Sequence, residues 1–211
     1  MTINHRRIIT LNNIQISSLT FKNILLIEDL YMEHKPLQYH NADHIKDLLH
    51  KFINTDYFNE IDVKHHNGFI MSIIYHDCVY SPKRNDNEER SIKRFYRMVR
   101  SNEYNNNYEY DEYIPNLILS TKYNNPQNTV DEKVLHDLDY SGFSDDIFKY
   151  KERMYDIWCE YKPHITYEEY TKNKIKFLNS LLNSKIYYYD HTYCEKTARK
   201  NIEYEIKYLS S

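Results

Sequence analysis

The chain has 211 residues, with 28 Lys and Arg against 31 Asp and Glu, a formal charge of −3 and a pI near 6.4. That length fits one domain of above-average size, or at most two small ones, and is enough to bury a substantial core. The mild acidity excludes a protein that coats a nucleic-acid polymer or lies on a membrane through a broadly basic face, and leaves room only for a local basic patch.

Two glycines, two alanines (Ala42 and Ala198) and 23 tyrosines mark a composition that AT-rich codons would impose. The tyrosines are therefore read first as core or half-buried amphipathic residues and not as a nucleic-acid platform. Scarce glycine and proline argue against an all-β fold, which needs many tight turns. Cys78, Cys159 and Cys194 are scattered and without a CxxC, which suits reduced thiols better than a disulfide frame or zinc knuckle. The start, MTINHRRIITLNN, lacks the apolar segment of a signal peptide, and no apolar run reaches 18 residues. The expectation is a cytoplasmic protein, in a host cytoplasm if the codon bias is that of a virus.

In chain order, residues 1–18 alternate weakly and are set apart as an N-terminal extension to a domain over 19–211. Leu19, Phe21, Ile24, Leu25, Ile27, Leu30 and Tyr31 recur at helical spacing, and Pro36 closes that helix. Asn41 predicts an N-cap for ADHIKDLLHKFI, with Ile45, Leu48, Leu49 and Phe52 inward. FIMSIIYHDCVY is apolar on nearly all sides and predicts a central buried helix stopped by Pro82. Asp86 and Glu89 have capping-box spacing and open NEERSIKRFYRMVRS. A polar hinge over 101–113 leads to a shorter helix near IPNLILSTKY, and NNPQNT is a loop. Four further helices follow, in VDEKVLHDLDYSGF, DDIFKYKERMYDIWCEY, YEEYTKNKIKFLNSLLNS and CEKTARKNIEYEIKYL. The sum is one all-α bundle of about eight or nine helices.

The chemistry lies in four places along this pattern. His40 and His44 stand one turn apart around the Asn41 cap, which puts His44 in the first turn of its helix. His76 and Asp77 lie adjacent on the most apolar helix. Burying an imidazole and a carboxylate there costs several kcal/mol without compensation. A divalent metal supplies it, by pairing with the carboxylate and taking a neutral ring nitrogen as ligand. A fourth ligand should come from farther along, where HDLD offers Asp137 and Asp139. Two residues apart on a helix these point in different directions, and Asp137 is the first choice.

His…His-Asp…Asp is the ligand order of the HD superfamily of metal-dependent phosphohydrolases, which this sequence resembles. It is similar in particular to a branch with "YHN..H", "HD.VY.P…DNEERS" and "LD.DL". The matching stretches are Tyr39-His40-Asn41…His44, His76-Asp77-Cys78-Val79-Tyr80-Ser81-Pro82, Asp86-Asn87-Glu88-Glu89-Arg90-Ser91 and Leu135…Asp137-Leu138-Asp139. The branch's closing "IY…E..AR.N" is matched at Ile186, Tyr187, Glu195, Ala198, Arg199 and Asn201, so the resemblance runs from about residue 19 to the end.

The resemblance implies that His44, His76, Asp77 and one of Asp137 and Asp139 hold a divalent ion (Mn, Co, Fe, Ni or Mg), with His40 in support of the ligands. Such an ion acidifies water and polarises a phosphoryl oxygen. Arg90, Lys83 and Arg84 follow the His-Asp pair closely and would hold substrate phosphate, for which arginine is better shaped than lysine. Glu88 would protonate a leaving oxygen or orient the water, with Asp77 the other catalytic group. No histidine lies between Cys78 and Leu135, where two-metal members usually add some, so a single-metal site is expected. The branch's histidine after Thr is Asn124 here, and the arginine of its "IR.EY" is Trp158.

Plainer roles stand beside these. Asp86 and Glu89 read as a helix cap, and Arg90 as either a phosphate ligand or a surface ion-pair partner. His65, His66 and His136 read as loop or surface histidines, and Tyr187–Tyr189 as packing. The expected activity is hydrolysis of a small-molecule phosphomonoester, plausibly a nucleotide, with a homodimer left open. The alternatives are a phosphodiesterase acting on a cyclic or dinucleotide messenger, and an inactive HD fold that sequesters a nucleotide.

Overall fold

The computed structural model describes residues 24–31, 37–101, 110–189 and 193–211. Within them the helices are α1 (24–31), α2 (Ala42–Asn54), α3 (Tyr57–Glu60), α4 (His66–Tyr75), α5 (Asn87–Ser101), α6 (Tyr110–Ser120), α7 (Val130–Asp139), α8 (Ile147–Tyr161), α9 (Tyr167–Leu182) and α10 (Glu195–Leu209). Short 3₁₀ turns occupy Val63–His65 and Tyr140–Ser144, and the described residues contain no strand. The all-α expectation holds, with four-residue α3 accounting for the extra helix. The N-terminal extension and the hinge core at 102–109 lie outside the described residues. None of the described helices is long and apolar enough to cross a membrane.

Asn41 caps α2 as its residue type predicts: its side-chain oxygen accepts from the backbone N–H groups of Asp43 and His44, at 2.9 and 3.1 Å. Ile45, Leu48, Leu49 and Phe52 then face inward. Helix α4 is buried on nearly every side and packs against α2, α5 and α6. It stops at Tyr75, five residues before the sequence pattern ends. His76 is its C-cap, and residues 77–80 leave the helix because α5 captures them. Ser91 Oγ accepts the Val79 N–H at 3.1 Å, and the Asn87 side chain brackets Ser81 with two 3.1 Å bonds to its backbone. His76 and Asp77 thus stand at the helix end, where they face other elements.

The capping box expected at Asp86 and Glu89 does not form: Asp86 pairs with Arg84, and Glu89 pairs with Lys122. A capping box occurs at Thr129 and Glu132 instead, opening α7. Helix α7 ends at Asp139 rather than running on to Phe143, because the chain tightens into the 3₁₀ turn.

The C-terminal motif residues prove architectural. Glu195 accepts the backbone N–H groups of Ile186 and Tyr187, and Arg199 pairs with Glu195 and donates to the Leu182 carbonyl at 2.9 Å. Asn201 Nδ2 donates to the carbonyls of Phe143 and Asp145, at 2.9 and 2.8 Å, and ties α10 to the 3₁₀ turn. Tyr57, Tyr75, Tyr150 and Tyr187 are fully buried, as a tyrosine-built core requires, whereas Tyr188 is exposed.

Cys78 sits in this core, and burial pushes its thiol up to about 12, whereas Cys194 is exposed. Alkylation at pH 8 should therefore modify Cys194 in the folded protein and Cys78 only after denaturation. Mass mapping of the labelled peptides checks this.

Candidate metal centre

Three element ends meet at one point: the first turn of α2 brings His44, the end of α4 brings His76 and Asp77, and the last residue of α7 brings Asp139. One ligand atom from each of these four residues lies within 4.8 Å of all the others. His76 Nε2 is 3.2 Å from Asp77 Oδ2 and 3.6 Å from Asp139 Oδ1, and His44 Nε2 is 3.7 Å from the same Asp139 oxygen. Among the described residues this is the only such group of three or more potential ligands.

The tautomer of His76 follows from its other nitrogen. Nδ1 is 2.8 Å from the Ile73 carbonyl, which can only accept, so the ring proton sits on Nδ1 and Nε2 presents a lone pair. Nε2 of both His44 and His76 is buried without a hydrogen-bond partner. Buried imidazole nitrogens are rarely left so, and two of them beside two carboxylates form the donor set a divalent ion takes. The residues present therefore fit a metal.

Without a metal, burial and the carboxylates pull the two rings in opposite directions. Burial lowers the pKa of His44. Burial also opposes charge on His76, but the carboxylates of Asp77 and Asp139 outweigh it and raise that pKa well above the usual imidazole value. Burial opposes ionisation of Asp77 and Asp139 too, yet the facing histidines hold both carboxyls below the usual range.

Asp137, the first choice of the two aspartates, lies outside the group. It is fully buried, and its Oδ1 accepts the Tyr188 N–H at 2.9 Å. Its Oδ2 accepts the Tyr189 N–H at 2.7 Å and the Tyr57 hydroxyl at 3.0 Å. Two residues along a helix turn a side chain by about 200°, so Asp137 anchors the 186–189 segment while Asp139 faces the histidines.

His40 stands beside the cluster. Its Nδ1 is 2.6 Å from Glu160 Oε2, and Glu160 Oε1 accepts the backbone N–H groups of Tyr39 and His40 at 2.6 and 2.8 Å. The ring stacks on Tyr80 with 3.6 Å between centroids, and Nε2 points toward Asp77 Oδ2 at 4.0 Å. Glu160 carries no role in the sequence reading. Its signal was the stripe Tyr150, Arg153, Ile157 and Glu160 along α8, whose first three members line the cavity below.

That cavity, of about 440 Å³, opens from the cluster and is lined at this end by His40, Asp77, Glu88 and Asp139. Glu88 is half-buried there, and burial raises its pKa. Lys83, Arg84 and Arg90, expected to hold phosphate, are exposed and do not line it: Lys83 and Arg84 sit in the 81–86 loop, where Arg84 pairs with Asp86, and Arg90 sits on the outer face of α5. The arginine of the cavity is Arg153. Its Nη2 donates to Asp145 at 2.5 Å and its guanidinium lies 5.5 Å from the Tyr39 ring centre. Its Nη1 is buried without a partner against Gly142, where any Cβ would fall 1.3 Å away. Glycine alone leaves that room.

The remaining sequence candidates have structural places. His66 Nε2 bonds the Phe58 and Ile61 carbonyls, His65 approaches Asp131, and His136 lies against Asp137. Trp158 packs on Tyr167 and Tyr170. Asn124 adopts φ 69° in an exposed turn, a conformation asparagine tolerates better than most residues.

No protein-family model matches the chain, and no curated protein or solved structure shows significant similarity to it.

Two expectations follow. Asp139→Asn should lower the melting temperature of the metal-free protein and abolish binding of Mn or Co in calorimetric titration, whereas Asp137→Asn should lower the melting temperature and leave metal binding in the folded protein. The depressed Asp77 and Asp139 stabilise the apo fold above the usual carboxylate pKa and lose that contribution as pH falls. The raised His76 stabilises it below the usual imidazole pKa and loses that contribution as pH rises through its folded value. High pH thus leaves two half-buried carboxylates without the positive charge of His76, and added metal should raise the melting temperature more at pH 8 than at pH 5.5.

Proposed function

We propose that the chain is a single-metal phosphohydrolase of HD type that acts on a phosphomonoester, plausibly a nucleotide. The observation that carries this reading is the pair of orphaned imidazole nitrogens, set with two carboxylates at the end of a cavity that also presents an arginine. His44, His76, Asp77 and Asp139 would hold the ion. A divalent ion in such a set supplies Lewis acidity toward a phosphoryl oxygen and lowers the pKa of water.

The chain's own residues supply the rest. Arg153 places a permanent positive charge, set against Tyr39, near the cluster, and so favours the anionic end of a substrate there. Water adds to phosphorus as the ester P–O bond breaks, and the leaving oxygen takes up a proton. His40 is placed to give it from Nε2, because Glu160 fixes its Nδ1 and Tyr80 fixes its plane. Glu88, whose pKa burial raises, lines the same end and can hold the attacking water.

The test is phosphate release from a panel of phosphomonoesters by protein loaded with Mn, Co, Fe, Ni or Mg in turn. Release that His76→Ala and Asp77→Ala abolish is expected, and no release with any loaded metal sinks the reading. A proton donor is needed most by a poor leaving group. His40→Gln should slow alkyl phosphates about 10²-fold or more and p-nitrophenyl phosphate several-fold less, and an equal loss on both would remove His40 from that role.

A further inference from the structure

The end of the cavity away from the metal cluster is built for something other than phosphate. It is walled by Phe143, Phe177, Tyr150 and Tyr170, and it carries two charged groups, Lys174 from α9 and Glu205 from α10. Glu205 is 2% exposed, and the Lys174 side chain is 12% exposed. Their closest approach is 3.7 Å, too long for a hydrogen bond, although Glu205 does accept the Tyr150 hydroxyl at 2.5 Å. Lys174 Nζ also lies 5.5 Å from the Phe177 ring centre. The hydroxyl of Tyr170, a residue 4% exposed, is buried without any partner.

Each of these is unfavourable in the free protein. Hydrophobic residues of similar size would stabilise the fold as well as a loosely paired buried Lys–Glu couple or better. An unpartnered buried hydroxyl is a net loss beside phenylalanine. Their common feature is that all three residues line one cavity and carry unmet or poorly met hydrogen-bonding capacity: an ammonium that donates, a carboxylate that accepts and a hydroxyl that does either. A ligand that met them would be flat enough to lie among aromatic faces and would carry donors and acceptors on its edge. A sugar lacks the face, and a lipid tail lacks the edge. A cationic headgroup would meet Lys174.

We propose that Lys174, Glu205 and Tyr170 form a recognition site for a nitrogen heterocycle of the nucleobase kind, carried on the leaving alcohol of the phosphoester whose phosphate the metal end takes. The proposal rests on the phosphohydrolase reading for the orientation of the substrate, and makes the ring, rather than the phosphate, the source of selectivity.

Binding tests it separately from turnover. The probes are the nucleoside 5′-monophosphates and base-free ribose 5-phosphate, titrated into full-length protein carrying Asp139→Asn to prevent hydrolysis. At least one monophosphate should bind roughly tenfold or more tighter than ribose 5-phosphate. Tyr170→Phe removes a hydroxyl that has no partner, so it should leave the melting temperature unchanged or raised. It should also weaken that monophosphate roughly three- to tenfold while leaving ribose 5-phosphate as it was. Lys174→Met, checked for folding in the same way, should narrow the difference between the two ligands further. Equal binding of all monophosphates and ribose 5-phosphate overturns the proposal, as does a Tyr170→Phe variant with unaltered affinity for every monophosphate. Selective binding that depends on Tyr170, in a metal-loaded native protein that releases no phosphate, would uphold this site and overturn the hydrolase reading.

Discussion

The fold turns on a charge problem at the meeting of three helix ends. Two imidazoles and two carboxylates converge where α2 begins and where α4 and α7 stop, with His76 almost fully buried and its Nε2 and that of His44 unpartnered. Protons meet this arrangement from opposite directions: burial lowers the pKa of His44, whereas the carboxylates of Asp77 and Asp139 outweigh burial and raise that of His76. A divalent ion resolves it at once, since it takes neutral rings and anionic oxygens together. Much of the surrounding architecture serves to hold those ends in place. Asn41 sets the phase of α2, Ser91 and Asn87 pull the chain out of α4 just after His76, and the 3₁₀ turn ends α7 at Asp139.

The cavity extends this centre in a direction the α8 stripe determines. Arg153, Ile157 and Glu160 lie successively along one face, so one helix supplies the arginine of the cavity, part of its apolar wall, and the carboxylate that fixes His40. Helices α9 and α10 then close the other end with Tyr170, Lys174 and Glu205. Asn201 and Arg199 matter indirectly, because they clamp α10 to the turn that carries Gly142 and to the loop after α9. Arg199 and Asn201 thus maintain the shape of the cavity and do not line it.

What the sequence made legible was periodic or local. The α2 face and its cap, the apolar α4 and the His44, His76 and Asp77 grouping could be read because helical spacing and adjacent ligand types leave a pattern. The choice between Asp137 and Asp139 could not, since it depends on the exact phase of α7 against a loop fifty residues away that occupies the Asp137 carboxylate. Closeness in sequence misled for Lys83, Arg84 and Arg90, which follow the ligands along the chain but leave them in space. Arg153 and Glu160 lie 14 and 21 residues beyond Asp139 and farther still from His44, His76 and Asp77, and only packing brings α8 onto the site. The expected capping box failed for a related reason: Asp86 and Glu89 had suitable spacing, but nearby Arg84 and Lys122 offered stronger, charged partners.

The central claim is that one divalent ion is held by two imidazoles and carboxylate oxygens, and X-ray absorption on cobalt- or manganese-loaded protein reads that shell directly. The account predicts two imidazole nitrogens with the remaining donors oxygen, no sulfur and no second metal scatterer. A second metal at about 3.5–4 Å, a sulfur ligand or a shell without imidazole would contradict it.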